Sequence, residues 1–419
     1  MADKEHRCSS IPVLHVRGNY YDVGYSVGTT FKSQINDLVD NSPEVATLDK
    51  LSNTDKGKAI FNASLRRLQR FYPQYLRELQ GTSDGAGVPF KKLFLLHLDG
   101  MIGRMDDIRK EKEAKHPPFG CSTFSFNFTN NVFIGHNEDA LPEFLNHWYV
   151  IKATIDDVDR DGPEGKHVEE RFVSVSYAGL LPGFCLGWNN HGLAYTINVL
   201  FPKHLSAEGL PRHFICRALL TATSLQDVER ILAAKGAGSA DGMSVNLGFF
   251  KHVQGDQLLH NIEVAPGFLD PKLPKDEIQS QVEVYTISPG EQYSHFNAYD
   301  HLKASEQPAE GSLAVKSSQR RQATTRKILK AATLDSSANA AYFINPKSKN
   351  ETPSCKTLLC NLLGDSSDKN LPIFRCGTEE DFVKTIQTEI INFTDKTVSL
   401  FTHNPLTSTP ILVMNLEDV

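Results

Sequence analysis

The stretch Gly120-Cys121-Ser122-Thr123-Phe124-Ser125-Phe126-Asn127-Phe128 reads as a β-strand that opens on a cysteine. Its phenylalanines alternate with small residues, the period of a strand with one apolar face. Asn130-Asn131 then predicts a turn, and Val132-Phe133-Ile134 returns towards Gly135-His136-Asn137-Glu138-Asp139. Asp139 therefore lies eighteen residues after Cys121. A cysteine at the head of a strand, behind a permissive glycine, can be the point at which a precursor cuts itself. Scission of the Gly120–Cys121 bond would leave a thiol and a free α-amine on one residue, a nucleophile with its own base. That amine has an ordinary pKa of about 8. The same thiol would make the cut, by attacking the Gly120 carbonyl in an N-to-S acyl shift.

The chain before this point is mostly helical. A short strand at Val13-Leu14-His15-Val16 leads to an apolar stripe of Val23, Val27, Phe31 and Ile35, with Gly24 and Gly28 beside it to admit a close neighbour. A second helix is predicted from Thr54 towards Gln80, kinked at Pro73, and a third from Leu93 to Met101. Arg104 to His116 is charge-rich and ends at Pro117-Pro118, a solvated linker or the polar end of a helix just before the proposed cut. After Cys121 the pattern turns to strands, at 150–155, 173–177, 193–199, 245–250, 258–264, 282–287, 386–391 and 398–402. Helices interrupt them at 211–222, after a Ser224 cap, and at 320–332, while 335–370 reads as polar and irregular. Strand runs broken by helical pairs predict an α+β fold of stacked sheets with helices outside.

Lys+Arg number 44 and Asp+Glu 50 in 419 residues, a net charge of −6 that gives nucleic acid or anionic membrane no hold. The opening Met1-Ala2-Asp3-Lys4-Glu5-His6 is too polar for a signal peptide, and no apolar run approaches a bilayer span. Seven scattered cysteines, an odd number, argue against a disulfide framework and for a reducing, cytoplasmic setting. The histidines form no HExxH, Cys355, Cys360 and Cys376 lack zinc spacing, and no phosphate-binding fingerprint occurs. No metal and no cofactor are expected.

Each candidate has an ordinary reading beside the catalytic one. A cysteine next to a glycine is most often a small core residue. Asp139 is ordinarily a turn residue; near a new N-terminus it would hold the ammonium and orient Cys121. Glu138 alternates with it and is expected to face away. Asn246, in the apolar run 243–248, is a satisfied core amide or an oxyanion donor, a role worth about 3 kcal/mol. His260 lies 139 residues after Cys121, a separation found in papain-like proteases, but the residues around Cys121 do not match theirs.

Gly120-Cys121-Ser122-Thr123 followed by Gly135-x-Asn137-x-Asp139 resembles the acyl-coenzyme A:6-aminopenicillanic acid acyltransferase family, N-terminal-nucleophile (Ntn) hydrolases with a cysteine nucleophile. The similarity continues through Arg17 to Gly24, Gly81 to Gly87, Gly187 to Ala194, Gly209 to Arg212, Asn261-Ile262-Glu263, His295-Phe296-Asn297, Ser317-Ser318-x-x-Arg321 and Asn404-Pro405. It implies an αββα sandwich, cut into an α chain (1–120) and a β chain (121–419) that stay associated as one domain. It also implies Cys121 as nucleophile and base, Asp139 and Asn246 in the roles above, and an arginine near the thiol. Arg320 and Arg321 both fit the serine spacing, and Arg321 is preferred. Thr123 matches a hydroxyl position tied to processing. Within the family the long polar insertions and the GCST motif resemble the arthropod hydrolases that free β-alanine from dopamine or histamine conjugates. A substrate with a free β-ammonium needs a carboxylate, for which Glu138 and Glu263 are the candidates. An acyltransferase, or a non-enzymatic scaffold of the same fold, is the alternative.

Overall fold

Capping and close packing organise the first helices. In the computed structural model, Asn19 accepts from the Asp22 N–H and starts α1 (Tyr20–Thr30). The apolar stripe does not stay on one helix: the chain turns at Phe31 into α2 (Lys32–Asn41), followed by α3 (Pro43–Ser52). Pro73 starts a new helix rather than kinking one. It is the first residue of α5 (Pro73–Ala86), directly after α4 (Asp55–Phe71), where its missing N–H costs nothing. Helices α6 (Phe90–Leu96) and α7 (Asp99–Ile102) complete this half. Gly24 and Gly28 do admit a neighbour. A Cβ on either would collide with α5 backbone at Glu78 or Thr82, and Gly81 and Gly85 on α5 are packed as tightly on α1. The structure describes residues 7–102, 120–158, 167–251, 258–267, 278–302, 312–334, 354–377 and 383–419. The charged tract 104–116 with its two prolines, and much of the two polar insertions, lie outside them.

Among the described residues the strands form two sheets. The first runs, in spatial order, β1 (Val13–Gly18), β4 (Trp148–Val158), β5 (His167–Tyr177), β6 (Leu186–Asn189) and β7 (Leu193–Leu200). It continues through β8 (Gly242–Phe249), β9 (Leu259–Ala265) and β10 (Gln281–Ile287). Only the β1–β4 pairing within it is parallel. The second runs β11 (Glu291–His295), β2 (Ser122–Phe128), β3 (Asn131–Ala140), β12 (Lys384–Asn392), β13 (Thr397–Phe401) and β14 (Leu412–Asn415), all antiparallel. The later helices are α8 (Arg212–Leu219), α9 (Leu225–Ala233) begun by the Ser224 cap, α10 (Leu313–Leu334) and α11 (Cys355–Leu363). The last of these lies in the stretch read as irregular.

Alternation along β2 sets the layers. Phe124, Phe126 and Phe128 face out and pack with Phe133 against Leu358, Leu359, Leu362 and Leu363 of α11 and Ile328 and Leu329 of α10. Each such phenylalanine contributes about 1.5–3 kcal/mol by burial. On the far side, the Phe31 ring stacks on Tyr149 of β4 with centroids 3.6 Å apart. The two sheets face each other between these helical layers: Thr123 of β2 meets Asn198 of β7, and Glu138 of β3 meets Tyr177 of β5. The fold is an αββα sandwich.

Candidate active site

The hairpin register builds the site. Ser122 pairs with Asn137 and Thr123 with His136, so Cys121, just before β2, falls opposite Glu138. The Cys121 thiol donates to Glu138 Oε2 at 3.3 Å, and Tyr177 donates to the other oxygen at 2.7 Å. His136 joins this carboxylate to the next layer, with Nε2 3.1 Å from Glu138 Oε2 and Nδ1 2.8 Å from Thr123 Oγ1. Thr123 donates to Asn198 Oδ1 (2.8 Å). Asn246 Nδ2 donates to the same oxygen (2.7 Å) and stands 3.3 Å from Thr123 Oγ1, while Asn261 donates to Asn246 Oδ1 (2.8 Å). Every member of this network is buried.

The Gly120–Cys121 junction sits in a polar vice. Arg321 Nη1 donates to the Cys121 carbonyl (2.6 Å) and to Ser122 Oγ (3.0 Å), and Nη2 donates to Asn297 Oδ1 (2.8 Å). A Cβ on Gly120 would lie 2.9 Å from Arg321 Nη2 and Asn297 Oδ1 and 3.1 Å from Arg375 Nη1, so these groups close on the peptide only because it is glycine. The paired serines hold the vice together. Ser317 Oγ accepts from Arg375 Nη2 (2.9 Å), and Ser318 Oγ accepts the Asn297 N–H (3.1 Å). Arg320 points the other way, half-exposed and 3.6 Å from Asp368. Of the two arginines, Arg321 is the one at Cys121.

Burial pushes the Cys121 thiol well above its ordinary range, and the neighbouring Glu138 and Asp139 carboxylates add to it. In the uncut chain the sulfur is a neutral thiol that needs a base to attack. The expected division between the two acids is inverted. Glu138 does not face away but touches the sulfur, while Asp139 reaches Cys121 through its main-chain N–H. The Asp139 carboxyl lies across the strand, accepting from Thr385 Oγ1 (2.6 Å) with Arg375 Nε 3.8 Å away. Through Arg375 it borders Gly120, beside the place where a new α-amine would appear.

The chain is similar to known proteins along most of its length. The model of the family described as acyl-coenzyme A:6-aminopenicillanic acid acyl-transferase matches residues 127–407. The chain is 35% identical over 408 residues, 96% of each sequence, to the β-alanyl-dopamine/carcinine hydrolase of Drosophila melanogaster. The chain belongs to the acyl-coenzyme A:6-aminopenicillanic acid acyl-transferase family. The Dictyostelium discoideum protein dcd1A is 24% identical over about half of each chain. Two solved structures overlap loosely: a conjugated bile acid hydrolase mutant from Clostridium perfringens (TM-score 0.33, 11% identity, 71% of this chain and 94% of that one) and penicillin V acylase from Agrobacterium tumefaciens (0.30, 13%, 69% and 84%).

Glu263 is not at the site in this member of the acyl-transferase family. It is fully buried on β9, accepting from His295 Nε2 (2.9 Å) and from the N–H groups of Asp300 (2.6 Å), His301 (2.9 Å) and Leu302 (2.8 Å). With both oxygens used, it has no acceptor left for a substrate. Burial alone would raise its pKa, but the His295 bond and the main-chain donors outweigh burial and hold the carboxyl below its usual range. A depressed folded-state pKa stabilises the fold above the unfolded value of about 4.3 and loses that effect as pH falls through the folded value. Glu263→Gln is therefore expected to lower unfolding free energy by about 1.5–3 kcal/mol at pH 7, with the gap narrowing below pH ~4. Urea denaturation at the two pH values measures it.

The site also gathers residues to which sequence reading gave no role: His136, Tyr177, Asn198, Asn297, Arg375 and Thr385. The histidine beside Cys121 is His136; His260 instead bonds Thr286 Oγ1 at 3.0 Å. Ligand-type atoms of Cys121, His136 and Glu138 lie within 4.8 Å of one another, compact enough for one ion. Such a set suits zinc, but a metal there would occupy the thiolate that has to attack. The same three groups already form a hydrogen-bonded path from sulfur to imidazole.

Proposed function

We propose that this chain is a self-processing cysteine amidohydrolase that releases β-alanine from amides of biogenic amines, N-β-alanyldopamine and carcinine among them. The observation that carries the reading is the buried Gly120–Cys121 junction, clamped by Arg321 with the thiol on Glu138, in a chain similar along its whole length to a β-alanyl-dopamine/carcinine hydrolase. In processing, Glu138 takes the thiol proton and sulfur adds to the Gly120 carbonyl carbon. The C–N bond breaks as the Cys121 nitrogen takes up a proton, leaving a thioester and a free α-amine. Water hydrolyses the thioester to a Gly120 carboxylate and restores the thiol. The chain is then residues 1–120 and 121–419.

The halves stay together because their contacts are those of one core. Strand β1 pairs with β4. The buried Arg217 of α8 binds Glu78 of α5 (2.8 Å) and Glu170 of β5 (2.9 Å), and Tyr20 of α1 donates to Glu170 (2.6 Å). In turnover the α-amine accepts the thiol proton, and sulfur attacks the substrate carbonyl. Asn246 Nδ2 supplies a hydrogen bond to the oxyanion. The protonated α-amine returns its proton to the departing amine, and water releases β-alanine from the thioester. Asp139, beside the junction, holds the ammonium form. A cytoplasmic, reducing setting suits a thiol enzyme. Among the described residues no helix is long and apolar enough to cross a membrane.

Incubation of the processed protein with N-β-alanyldopamine and carcinine tests the reading. Free β-alanine should appear mole for mole with dopamine or histamine, whether or not a competing amine is added. Transfer of the β-alanyl group to the added amine without free β-alanine would replace hydrolysis with acyl transfer. No turnover of either amide would refute the substrate class.

A further inference from the structure

Strand β12 carries two inward side chains that the mechanism above does not use. In the register with β3, Gln387 pairs with Glu138 and Glu389 with His136. Paired residues share a face of the sheet, so both point with the Cys121 network into the space between the sheets. Gln387 Nε2 reaches across that space to the Cys185 sulfur at 3.3 Å. Both side chains are buried to within about a hundredth of their surface. Yet among the described residues Glu389 Oε1, Glu389 Oε2 and Gln387 Oε1 have no hydrogen-bond donor. A buried acceptor without a donor costs free energy, and here three lie on one strand face.

We propose that Glu389, with Gln387 and Glu138 beside it, is the subsite for the ammonium group on the acyl part of the substrate. This rests on the β-alanyl reading and adds the residue that selects it. An ammonium offers three hydrogens and accepts none, the complement of an acceptor-only cluster. Burial, reinforced by the Glu138 charge, pushes Glu389 well above the usual carboxylate range, a cost that a bound cation offsets. The register fixes the neighbours: Gln387 lies directly opposite Glu138, and Glu389 lies opposite His136, diagonal to the carboxylate that touches Cys121 Sγ and on the same face of the sheet.

The test compares β-alanyldopamine with butanoyldopamine, which replaces the ammonium by a methyl group at the same length. The ratio of their kcat/KM values is independent of how much enzyme is active. Processed wild type should favour the β-alanyl amide, and Glu389→Gln, nearly isosteric with the neutral acid, should lower the ratio about tenfold or more. Glu389→Asp withdraws the carboxylate by one methylene and serves if the Gln variant yields too little processed protein; it too must lower the ratio. An unchanged ratio in the variant overturns the subsite while leaving β-alanyl hydrolysis standing. A wild type that hydrolyses both amides equally overturns it as well. One that hydrolyses neither removes the β-alanyl reading and the subsite together.

Discussion

Cys121→Ala is expected to remain a single chain of 46.6 kDa and to lose amide hydrolysis by a factor on the order of 10⁴–10⁶. Both losses follow from one sulfur. In the proposed mechanism it cuts the Gly120–Cys121 bond, and once the bond is cut it shares a residue with the amine that activates it. The substitution removes little packing, since Cys121 is a small residue whose hydrogen bond is to Glu138. A Cys121→Ala protein should therefore fold with the wild-type circular dichroism spectrum while failing both reactions. Cys121→Ser separates the two. A hydroxyl can accept the same geometry but is a weaker nucleophile than a thiol, so the serine variant should process slowly and turn over substrate more slowly still. Quantifying the two product chains over time, alongside β-alanine release, checks both. Substantial hydrolysis by the alanine variant would place the nucleophile elsewhere.

The adjacent arginines should behave oppositely. Arg321→Ala removes three charge-assisted bonds at once, to the Cys121 carbonyl, Ser122 Oγ and Asn297 Oδ1, all of them buried. Cys121 then loses the groups that hold it beside the Gly120 carbonyl, and processing should slow by about 10²-fold, the scale of a misplaced reacting group. Arg321→Lys should recover little, because one ammonium cannot span acceptors that a planar fork reaches together. Arg320→Ala removes a half-exposed ion pair with Asp368, an interaction worth about 0–1 kcal/mol, and should process as the wild type does. A time course of chain cleavage after rapid refolding measures all three. Equal slowing in the Arg320 and Arg321 variants would mean that helix packing, not the clamp, is what Arg321 supplies.

The contiguous part of the site was legible because strand alternation is local. Phe124, Phe126 and Phe128 predict an apolar face, and the opposite face holds Cys121 and Thr123, as found. Gly24 and Gly28 beside an apolar stripe predict a close helix neighbour, and α5 is that neighbour. The exchange of roles between Glu138 and Asp139 was also within reach. Once Asn130 turns the hairpin with a left-handed φ of 60°, Phe128 pairs with Asn131, and counting back along both strands sets Cys121 across from Glu138. Alternation says that the two acids face opposite ways; only register says which faces the sulfur. Arg375, Thr385, Gln387 and Glu389 carry no such signal. They reach the site from more than 200 residues away, the last three on β12 paired with β3 and Arg375 through its bonds to Thr385, and nothing in their own neighbourhood marks them. Helix α11 was lost for a different reason: nine residues with a Ser354 cap are too short for periodicity to stand out in a polar stretch. Glu263 was misplaced because a buried acid in an apolar strand looks the same from sequence whether it binds a ligand or ties down a loop.

The bond between Gly120 and Cys121 decides the mechanism. Denaturing intact-mass measurement of the purified protein, with the N-terminal residue of the larger species identified, tests it directly. Scaling 46.6 kDa by residue count gives chains of roughly 13 and 33 kDa, the larger beginning at Cys121. A single species of 46.6 kDa that nonetheless hydrolyses β-alanyl amides would contradict it, because no α-amine would exist at Cys121 to take the thiol proton.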